Sequence, residues 1–272
     1  MRVLIEDTLA TSPFTISLAA GWIELDRSTP FEVRVGLRGG ELAPDDVALI
    51  GAAEWAGCQT THQVVPDFAV VTDGVSAISL RTPVRPDQIE RTPVRVVETD
   101  STAEMVARAT LRPFYGINAS EWIRREDDPR AATAQVVIVD SFAALRPPEA
   151  GYAEDLGRAW FILTGLPLVT HVLVAPILAE RESLAAILGT LGRLLRIAIQ
   201  RRREWQPLLA ERYDLPEEVL AAFFTRQRYA VTEADRAALI RLHRRGGIGL
   251  GDSQVSVPIF LAPSSSVPPR RE

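Results

Sequence analysis

Residues 152–176 constrain the fold of this chain most strongly, because they predict a helix that leads directly into a buried strand. Apolar side chains recur at helical spacing through the first half of this stretch. Gly165 is typical of a helix end, since glycine adopts a positive φ without penalty, and Pro167 cannot continue the helix. Residues 168–174 are almost wholly apolar and rich in β-branched side chains, as in a strand buried on both faces. The stretch therefore predicts an α/β protein.

The order of strand, polar turn and helix start recurs four times along the chain. Open α/β sheets bind ligands at the carboxyl ends of their strands, and helix amino-termini favour anions there. Hydroxyl side chains add hydrogen-bond donors without negative charge. The pattern predicts a cleft for a small carboxylate, although helix capping is the alternative explanation for each hydroxyl. The residues that we assign to this cleft are Thr11, Ser12, Gly51, Ala52, Ser76, Ser101, Thr102, Asp140 and Ser141.

Charge and composition argue against several classes of protein. The net charge is −5 and the sequence pI is near 5.4, so there is no basic field for nucleic acid. The chain has no lysine, which excludes Schiff-base chemistry and a phosphate-loop lysine. Cys58 is the single cysteine, so an internal disulfide and a cysteine-based metal cluster are excluded. We expect neither a cofactor nor a metal ion.

Hydropathy gives no sign of a membrane-bound protein. No apolar run reaches the roughly 18 residues that a spanning helix needs. The first residues lack the basic segment and apolar core of a secretory signal, since Glu6 and Asp7 come too early for one. We therefore expect a cytoplasmic protein without a membrane partner.

Short motifs in a fixed order carry a family resemblance. The block D-L-G-x-x-W-x-x-x-T-G-L-P is matched at residues 155–167, and F-Y-G is intact at residues 114–116. Together with the weaker matches, these blocks resemble the chorismate dehydratase family of the futalosine route to menaquinone. The weaker matches are residues 8–14 to Y-L-N-T-L-P-F, 29–32 to T-P-x-E, 46–55 to D-V-x-x-I-S-S-I-E-Y, 72–74 to S-D-G, and 94–116 to a strand, S-x-T-S and a helix.

The resemblance implies the two-lobed α/β fold of type II periplasmic binding proteins, with substrate between the lobes. Lobe one would comprise residues 1–81 and 169–272, including a helical C-terminal part, and lobe two residues 82–168. Hinges are implied near residues 79–82 and 168–173. The proline-rich residues 82–92 are interpreted as a crossing between the lobes.

Two local patterns predict where helices begin. Thr29, Pro30 and Glu32 have the order of a cap, a first helical residue and a capping-box acid. Ser101 and Glu104 stand in the same capping-box relation. Each pattern therefore predicts a helix directly after it.

Several polar cleft positions of the family differ in this chain. Ala10 stands where the family has asparagine, and Gly51 and Ala52 where it has paired serines. Each lost donor leaves a ligand group unpaired at a cost of about 1–3 kcal/mol. The original ligand should therefore bind more weakly. The other departures are Ser76–Ala77 for glycine–serine, Asp100 and Ala103 within S-x-T-S, and Ser141–Phe142 for glycine–aspartate.

Two functional hypotheses follow from these residues. The first is a hydro-lyase that dehydrates chorismate, with carboxylates held at the turns 11–12 and 101–102. Asp100 or Asp140 would then accept the proton, unless either side chain only caps a helix. His171 lies in an apolar strand near a hinge and is expected to be packed rather than catalytic.

The second hypothesis is a divergent protein with the same scaffold. It would be either a non-catalytic binder of a small carboxylate or an enzyme with a changed substrate. The sequence does not decide between the two hypotheses, and it does not give the catalytic residues, the ligand or the oligomeric state.

Overall fold

The chain pairs its strands into two separate sheets, described here for residues 1–96, 100–247 and 258–260 in a computed structural model. Its strands are Val3–Glu6 (β1), Phe31–Arg34 (β2), Val47–Gly51 (β3), His62–Thr72 (β4), Ile78–Thr82 (β5), Arg91–Arg95 (β6), Asn118–Ile123 (β7), Val136–Asp140 (β8), Tyr152–Asp155 (β9), Leu168–Pro176 (β10) and Gln227–Ala230 (β11).

The α-helices lie mostly in the second half of the chain. They are Ser12–Ala19 (α1), Trp55–Cys58 (α2), Ser101–Thr110 (α3), Ser141–Leu145 (α4), Leu156–Thr164 (α5), Arg181–Gln200 (α6), Arg202–Tyr213 (α7), Glu217–Thr225 (α8) and Glu233–Gly246 (α9). Short 3-10 turns occupy Gly39–Glu41, Ala52–Glu54, Pro86–Gln88 and Pro129–Thr133, and Leu111–Tyr115 is a π-helical turn. In the described part of the chain, no helix combines the length and hydropathy needed to cross a bilayer.

The two sheets define two lobes. The first sheet has the order β11-β4-β10-β3-β1-β2, with β1 parallel to β2 and β3, and β10 antiparallel to β3 and β4. The second has the order β7-β6-β8-β5-β9, with β6 parallel to β7 and β8. None of the described strands belongs to both sheets, so the chain passes between them at residues 73–77 and 165–167. The predicted two-lobed α/β fold is confirmed.

The passages lie a few residues from the predicted hinges. β5 pairs antiparallel with β8 and β9, so residues 78–82 already belong to the second sheet rather than to lobe one. The proline-rich segment 82–92 does not cross between lobes, because it leads into β6 of the same sheet. Proline marks a break in regular structure but carries no information about which sheet comes next. β10 lies wholly in the first sheet, so residues 168–173 are not a hinge either.

The T-G-L-P block joins α5 to β10 as its residue types predict. Gly165 has a φ of 69° and its N–H donates to the Phe161 carbonyl at 2.8 Å, which ends the helix. Trp160 is fully buried, and its Nε1 donates to the Pro167 carbonyl at 2.9 Å. The residues before the helix form a strand, β9, and Asp155 caps α5 by accepting from the Arg158 N–H.

Of the two predicted helix starts, the one at residues 29–32 is wrong, whereas the helix predicted at Ser101 is confirmed as α3 but has a different cap. Residues 31–34 form strand β2, and the Val3 N–H donates to the Pro30 carbonyl at 2.9 Å. The alternating F-E-V-R sequence suits a strand, and pairing with β1 outweighs the local capping pattern. At α3 the cap is Asp100, whose Oδ1 accepts from the Ala103 N–H at 2.6 Å. Glu104 is not part of a capping box, since it pairs with two arginines, Arg108 and Arg124.

α9 packs against both lobes. It lies on β10 of the first sheet and on α3, which follows β6 of the second. Gly246 permits a close approach, because a Cβ there would lie 2.0 Å from the Met105 carbonyl oxygen of α3. Buried residues of both sheets and of α9, including Leu4, Val94 and Leu239, belong to one continuous core. The opposite face of the first sheet is covered mainly by α1, α6, α7 and α8.

Candidate ligand-binding cleft

A cavity of about 320 Å³ lies between the lobes, where strand ends from both sheets meet. The first lobe contributes the end of β1 with its following turn, the end of β3 and the middle of β10. The second contributes the start of β5, the start of α3 and the end of β8. The residues that line it are Glu6, Asp7, Thr8, Leu9, Ala10, Val35, Gly36, Arg38, Gly51, Glu54, Ser76, Ala77, Ile78, Asp100, Ser101, Thr102, Asp140, Ser141, Thr170, His171 and Phe223.

Six of the nine residues assigned from the sequence line this cavity, namely Gly51, Ser76, Ser101, Thr102, Asp140 and Ser141. The other three do not. Thr11 is fully buried and its hydroxyl donates to the Glu6 carbonyl, while the Ser12 hydroxyl donates to the Thr8 carbonyl at 3.1 Å. Ala52 is fully buried in the core. Thr11 and Ser12 therefore stabilise the turn between β1 and α1, and their donors are not free for a ligand.

Carboxyl groups of the protein itself accept hydrogen bonds from the backbone N–H groups that were expected to bind an anion. Asp100 caps α3, so the first turn of that helix already has a negative partner. Asp140 Oδ2 accepts from the Asp100 N–H at 2.7 Å. Glu6 Oε2 accepts from the Gly51 N–H at 2.8 Å. Strand-end amide groups are thus present in the cleft, but carboxyl groups of the chain bind them.

These carboxyl groups are hard to ionise. Glu6 is only 5% exposed, and burial, together with the charge of Asp100, raises its pKa to about 8. Burial raises the pKa of Asp100, and burial with the charge of Asp100 raises the pKa of Asp140. At neutral pH Glu6 is therefore mostly protonated. A carboxyl group in this state donates one hydrogen bond and gives up its proton readily when a cation approaches.

Replacement of Glu6 by glutamine should change how stability depends on pH. The folded pKa near 8 lies above the ordinary value of 4.5, so the folded state binds more protons between these pH values. The free energy of unfolding of the parent should therefore fall, relative to Glu6→Gln, as pH rises from 5 to 9, by on the order of a few kcal/mol. Urea unfolding at pH 5, 7 and 9 measures this difference.

The matched control is Asp67→Asn, which removes one exposed carboxylate outside the cavity. It should keep the pH dependence of the parent. Parallel curves for the parent and Glu6→Gln would contradict the prediction.

Arg38 is the one arginine among the described residues that line the cavity. One of its terminal nitrogens donates to Glu54 Oε1 at 2.8 Å and to the Ser101 hydroxyl oxygen at 2.7 Å. The Ser101 hydroxyl also bonds to Glu54, so this group joins residues of the two lobes. The Arg38 side chain is 53% exposed, which places it at the mouth of the cavity. Its remaining N–H groups can bind one carboxylate there.

A chain of hydrogen bonds links Thr170, His171 and Thr8 at the cavity wall. The Thr170 hydroxyl donates to the Val70 carbonyl at 3.3 Å, so its oxygen accepts from His171 Nδ1 at 3.1 Å. His171 Nε2 then carries a lone pair and accepts from the Thr8 hydroxyl at 3.1 Å. Burial lowers the pKa of His171 to about 4, which keeps the imidazole neutral, as this direction requires. The Thr8 hydroxyl oxygen also lies 3.1 Å from the Thr11 hydroxyl and accepts from the Thr11 N–H at 3.4 Å, so Thr8 is held by partners inside the protein.

Asp155 and Gly157 of the D-L-G block hold Ser76 in place. Asp155 accepts from both the N–H and the hydroxyl of Ser76 at 3.0 Å, and the Gly157 N–H donates to the Ser76 hydroxyl oxygen at 3.1 Å. A Cβ at Gly157 would lie 2.5 Å from the Ser76 Cβ, so the contact requires glycine. The block therefore ties α5 to the passage at residues 73–77.

Two cavity residues have a backbone conformation that favours glycine. Ala77 has a φ of 51° and Ser141 a φ of 55°. Such residues cost of order 1–3 kcal/mol each and persist only where their surroundings hold them. Both line the cavity. The family motif drawn from the resemblance has glycine at the position of Ser141, and glycine adopts a positive φ without this cost.

The sequence did not reveal several residues of the cavity. Glu6 is the polar end of an apolar strand, a signal that could have been used. Thr8, Arg38 and His171 reach the cavity only through the tertiary fold. Of the departures from the family motifs, Ala10, Gly51, Ala77, Asp100 and Ser141 line the cavity, whereas Ala52, Ala103 and Phe142 do not.

The two sheets and the cleft between them define a two-lobed fold of the periplasmic-binding-protein type, and solved structures agree. Protein AF1704 from Archaeoglobus fulgidus is 15% identical and matches with a TM-score of 0.63, over 89% of this chain and 94% of that chain. The aliphatic sulphonate binding protein SsuA from Escherichia coli is 15% identical, with a TM-score of 0.59, over 89% and 84%. The Candida albicans CA3427 gene product, described as having the generic periplasmic binding protein fold, is 10% identical, with a TM-score of 0.57, over 84% and 81%. These likenesses show the fold alone.

The family is given by the sequence profile for menaquinone biosynthesis, which matches residues 37–247. This chain belongs to that family, and the resemblance drawn from the short motifs is confirmed. No curated protein sequence matches it significantly.

Proposed function

We propose that this protein is a divergent member of the menaquinone biosynthesis family that binds a small monocarboxylate between its lobes and does not dehydrate chorismate. The observation that carries the proposal is the imbalance of charge in the cavity. Arg38 shares the cavity wall with five carboxyl groups, those of Glu6, Asp7, Glu54, Asp100 and Asp140. One guanidinium can bind one carboxylate.

A second ligand carboxylate would find no second arginine in the described cavity wall, where the other acidic and basic side chains are carboxyl groups and the neutral His171. It would lie beside groups whose pKa is already raised by burial and by one another, which makes a further negative charge more costly there. Chorismate, the substrate that the family resemblance implies, carries two carboxylates. The substitutions that remove cleft donors in this chain, at residues 10, 51 and 77, support the same conclusion.

Ligand-induced stabilisation tests the proposal. Benzoate and cyclohexanecarboxylate should raise the Tm, whereas the dicarboxylates phthalate and cyclohexane-1,4-dicarboxylate should not. At about 100 times the Kd, the stabilisation is about 2.7 kcal/mol, or roughly 5 °C for a chain of this size. Arg38→Gln should abolish the shift relative to its own unliganded Tm.

Arg34→Gln is the matched control. Arg34 is an exposed arginine in strand β2, where it pairs with Glu32. It does not line the cavity. Its monocarboxylate shift should equal that of the parent. A larger shift with the dicarboxylates, or an unchanged shift in Arg38→Gln, would overturn the proposal. The cytoplasmic location expected from the sequence stays a prediction.

A further inference from the structure

We infer that the outer edge of strand β2 pairs antiparallel with the same strand of a second copy of this chain, so that the first sheets of two molecules join into one. The partner is therefore another molecule of this protein, related by a two-fold axis that passes beside Val33. The inference goes beyond the proposed function and does not depend on it, because it concerns the outer surface of the first lobe rather than the ligand.

The outer edge of β2 has no neighbouring strand within the described sheet. β2 ends the strand order, and β1 lies on its other side. The Val3 N–H donates to the Pro30 carbonyl and the Asp7 N–H to the Arg34 carbonyl, so even-numbered residues of this segment face β1. Backbone groups of successive strand residues point to alternate edges. The odd-numbered residues therefore point theirs to the exposed edge, which is a template for another strand.

The sequence of β2 is complementary to itself when it is paired about Val33. In that register Val33 exchanges hydrogen bonds with Val33 of the second copy, and Phe31 does so with Val35. Glu32 then lies opposite Arg34 of the second copy. Glu32 and Arg34 form pairs without backbone hydrogen bonds, in which side chains approach most closely, and opposite charges in such pairs are stabilising. The two-fold axis produces this contact twice.

The side chains that would form these contacts are available at the surface. Glu32 and Arg34 lie on one face of the strand with side chains 40% and 47% exposed, and they already pair with each other at 2.8 Å. A second copy would extend this pair into a ring of alternating charges. On the other face, dimer formation would cover Val33 and Val35, which are 40% and 84% exposed.

The other edge strands of the two described sheets lack this pattern. β9 carries Glu154 and Asp155 and no basic residue, so pairing with itself would add only negative charges. β7 carries one charged residue, Glu121, and β11 carries one, Arg228, which is paired with Asp235. Among these edges, opposite charges two residues apart occur in β2 alone. Self-pairing is therefore expected at β2.

The dimer should be a weak one, because β2 is only four residues long. Small interfaces of this kind are typical of transient complexes, and we expect a Kd of about 1–100 μM. The measurement must therefore cover a range of protein concentrations on both sides of this value.

Complementary charge variants test the pairing by sedimentation velocity. Glu32→Arg gives an edge with two positive charges and Arg34→Glu an edge with two negative charges, so each variant alone should dimerise at least tenfold more weakly than the parent. An equal mixture of the two should associate as the parent does, which also shows that both variants fold. Arg85→Glu is the control, because it makes the same charge change at an exposed side chain of the second lobe.

Cross-linking tests the register about Val33. Opposite residues that exchange hydrogen bonds have Cα atoms about 5.5 Å apart, within the usual range for a disulfide. Val33→Cys, oxidised with copper phenanthroline, should form a covalent dimer at least tenfold faster than Val84→Cys. Val84 is the matched control, since it is 39% exposed against 40% for Val33, and the natural Cys58 is buried.

The two experiments decide the inference together. Recovery of the dimer in the mixture, with rapid cross-linking at residue 33, would support it. If the mixture associates no more tightly than either charge variant alone, the pairing of Glu32 with Arg34 is wrong and the inference is overturned. Equal cross-linking of Val33→Cys and Val84→Cys would overturn it as well.

Discussion

Purified protein incubated with chorismate should leave the diene absorbance unchanged and form no dehydration product. The cleft offers one arginine for two substrate carboxylates, and its remaining charged wall is acidic. The first-turn amides of α3, which the sequence suggested for a carboxylate, are capped by Asp100. We expect turnover below about 10⁻³ per second, against the roughly 1 per second or faster of ordinary enzymes.

Absorbance and mass spectrometry of the product measure this directly, with an active chorismate dehydratase assayed alongside as the positive control. Turnover in the ordinary enzymatic range would overturn the proposed function and restore the hydro-lyase hypothesis. A thermal shift with benzoate but not with chorismate, and no turnover, is the combination that the charge of the cleft predicts.

Trp160→Ala should destabilise the fold by about 3–5 kcal/mol, the usual cost of emptying a buried aromatic site. Trp160 is fully buried, and its Nε1 donates to the Pro167 carbonyl at 2.9 Å. The substitution removes both the packing of α5 and the bond that orients the turn into β10. Urea unfolding followed by far-ultraviolet circular dichroism gives the loss.

Phe161→Ala is the control, because Phe161 is the next aromatic residue of the same helix but is 47% exposed. Its loss should stay below about 1 kcal/mol. Should Trp160→Ala not fold, Trp160→Phe gives an intermediate loss that can be measured. Equal losses at the two aromatic positions would show that the T-G-L-P turn does not depend on the buried indole.

Patterns that depend on neighbouring residues predicted much of the fold. The helix end at Gly165, the buried strand after it and the strand–turn–helix units at residues 51, 101 and 141 follow from local chemistry and hydropathy. The same approach gave the wrong structure for residues 29–32. A capping pattern and a strand can share residue types, and only the pairing with β1 decides between helix and strand. The sheet to which a segment belongs is likewise not a local property, as β5 shows.

The candidate site was predicted in position but not in chemistry. Strand ends converge where the sequence placed the cleft, since that follows from α/β topology. Hydroxyls at those ends were expected to face a ligand, but Thr11 and Ser12 bond within their own turn. Glu6 and Arg38 were missed because their exposure and partners depend on residues far away in the chain.

The packing of α9 has a consequence for how the cleft selects its ligand. Because this helix lies on both lobes, the lobes cannot swing apart at residues 73–77 and 165–167 without lifting it from α3. The cavity is therefore preorganised, and little conformational entropy is lost when a ligand enters. Recognition then depends on the fit of the ligand to a shape that exists beforehand, and affinity should respond more sharply to ligand length than in a binding protein that closes around its cargo.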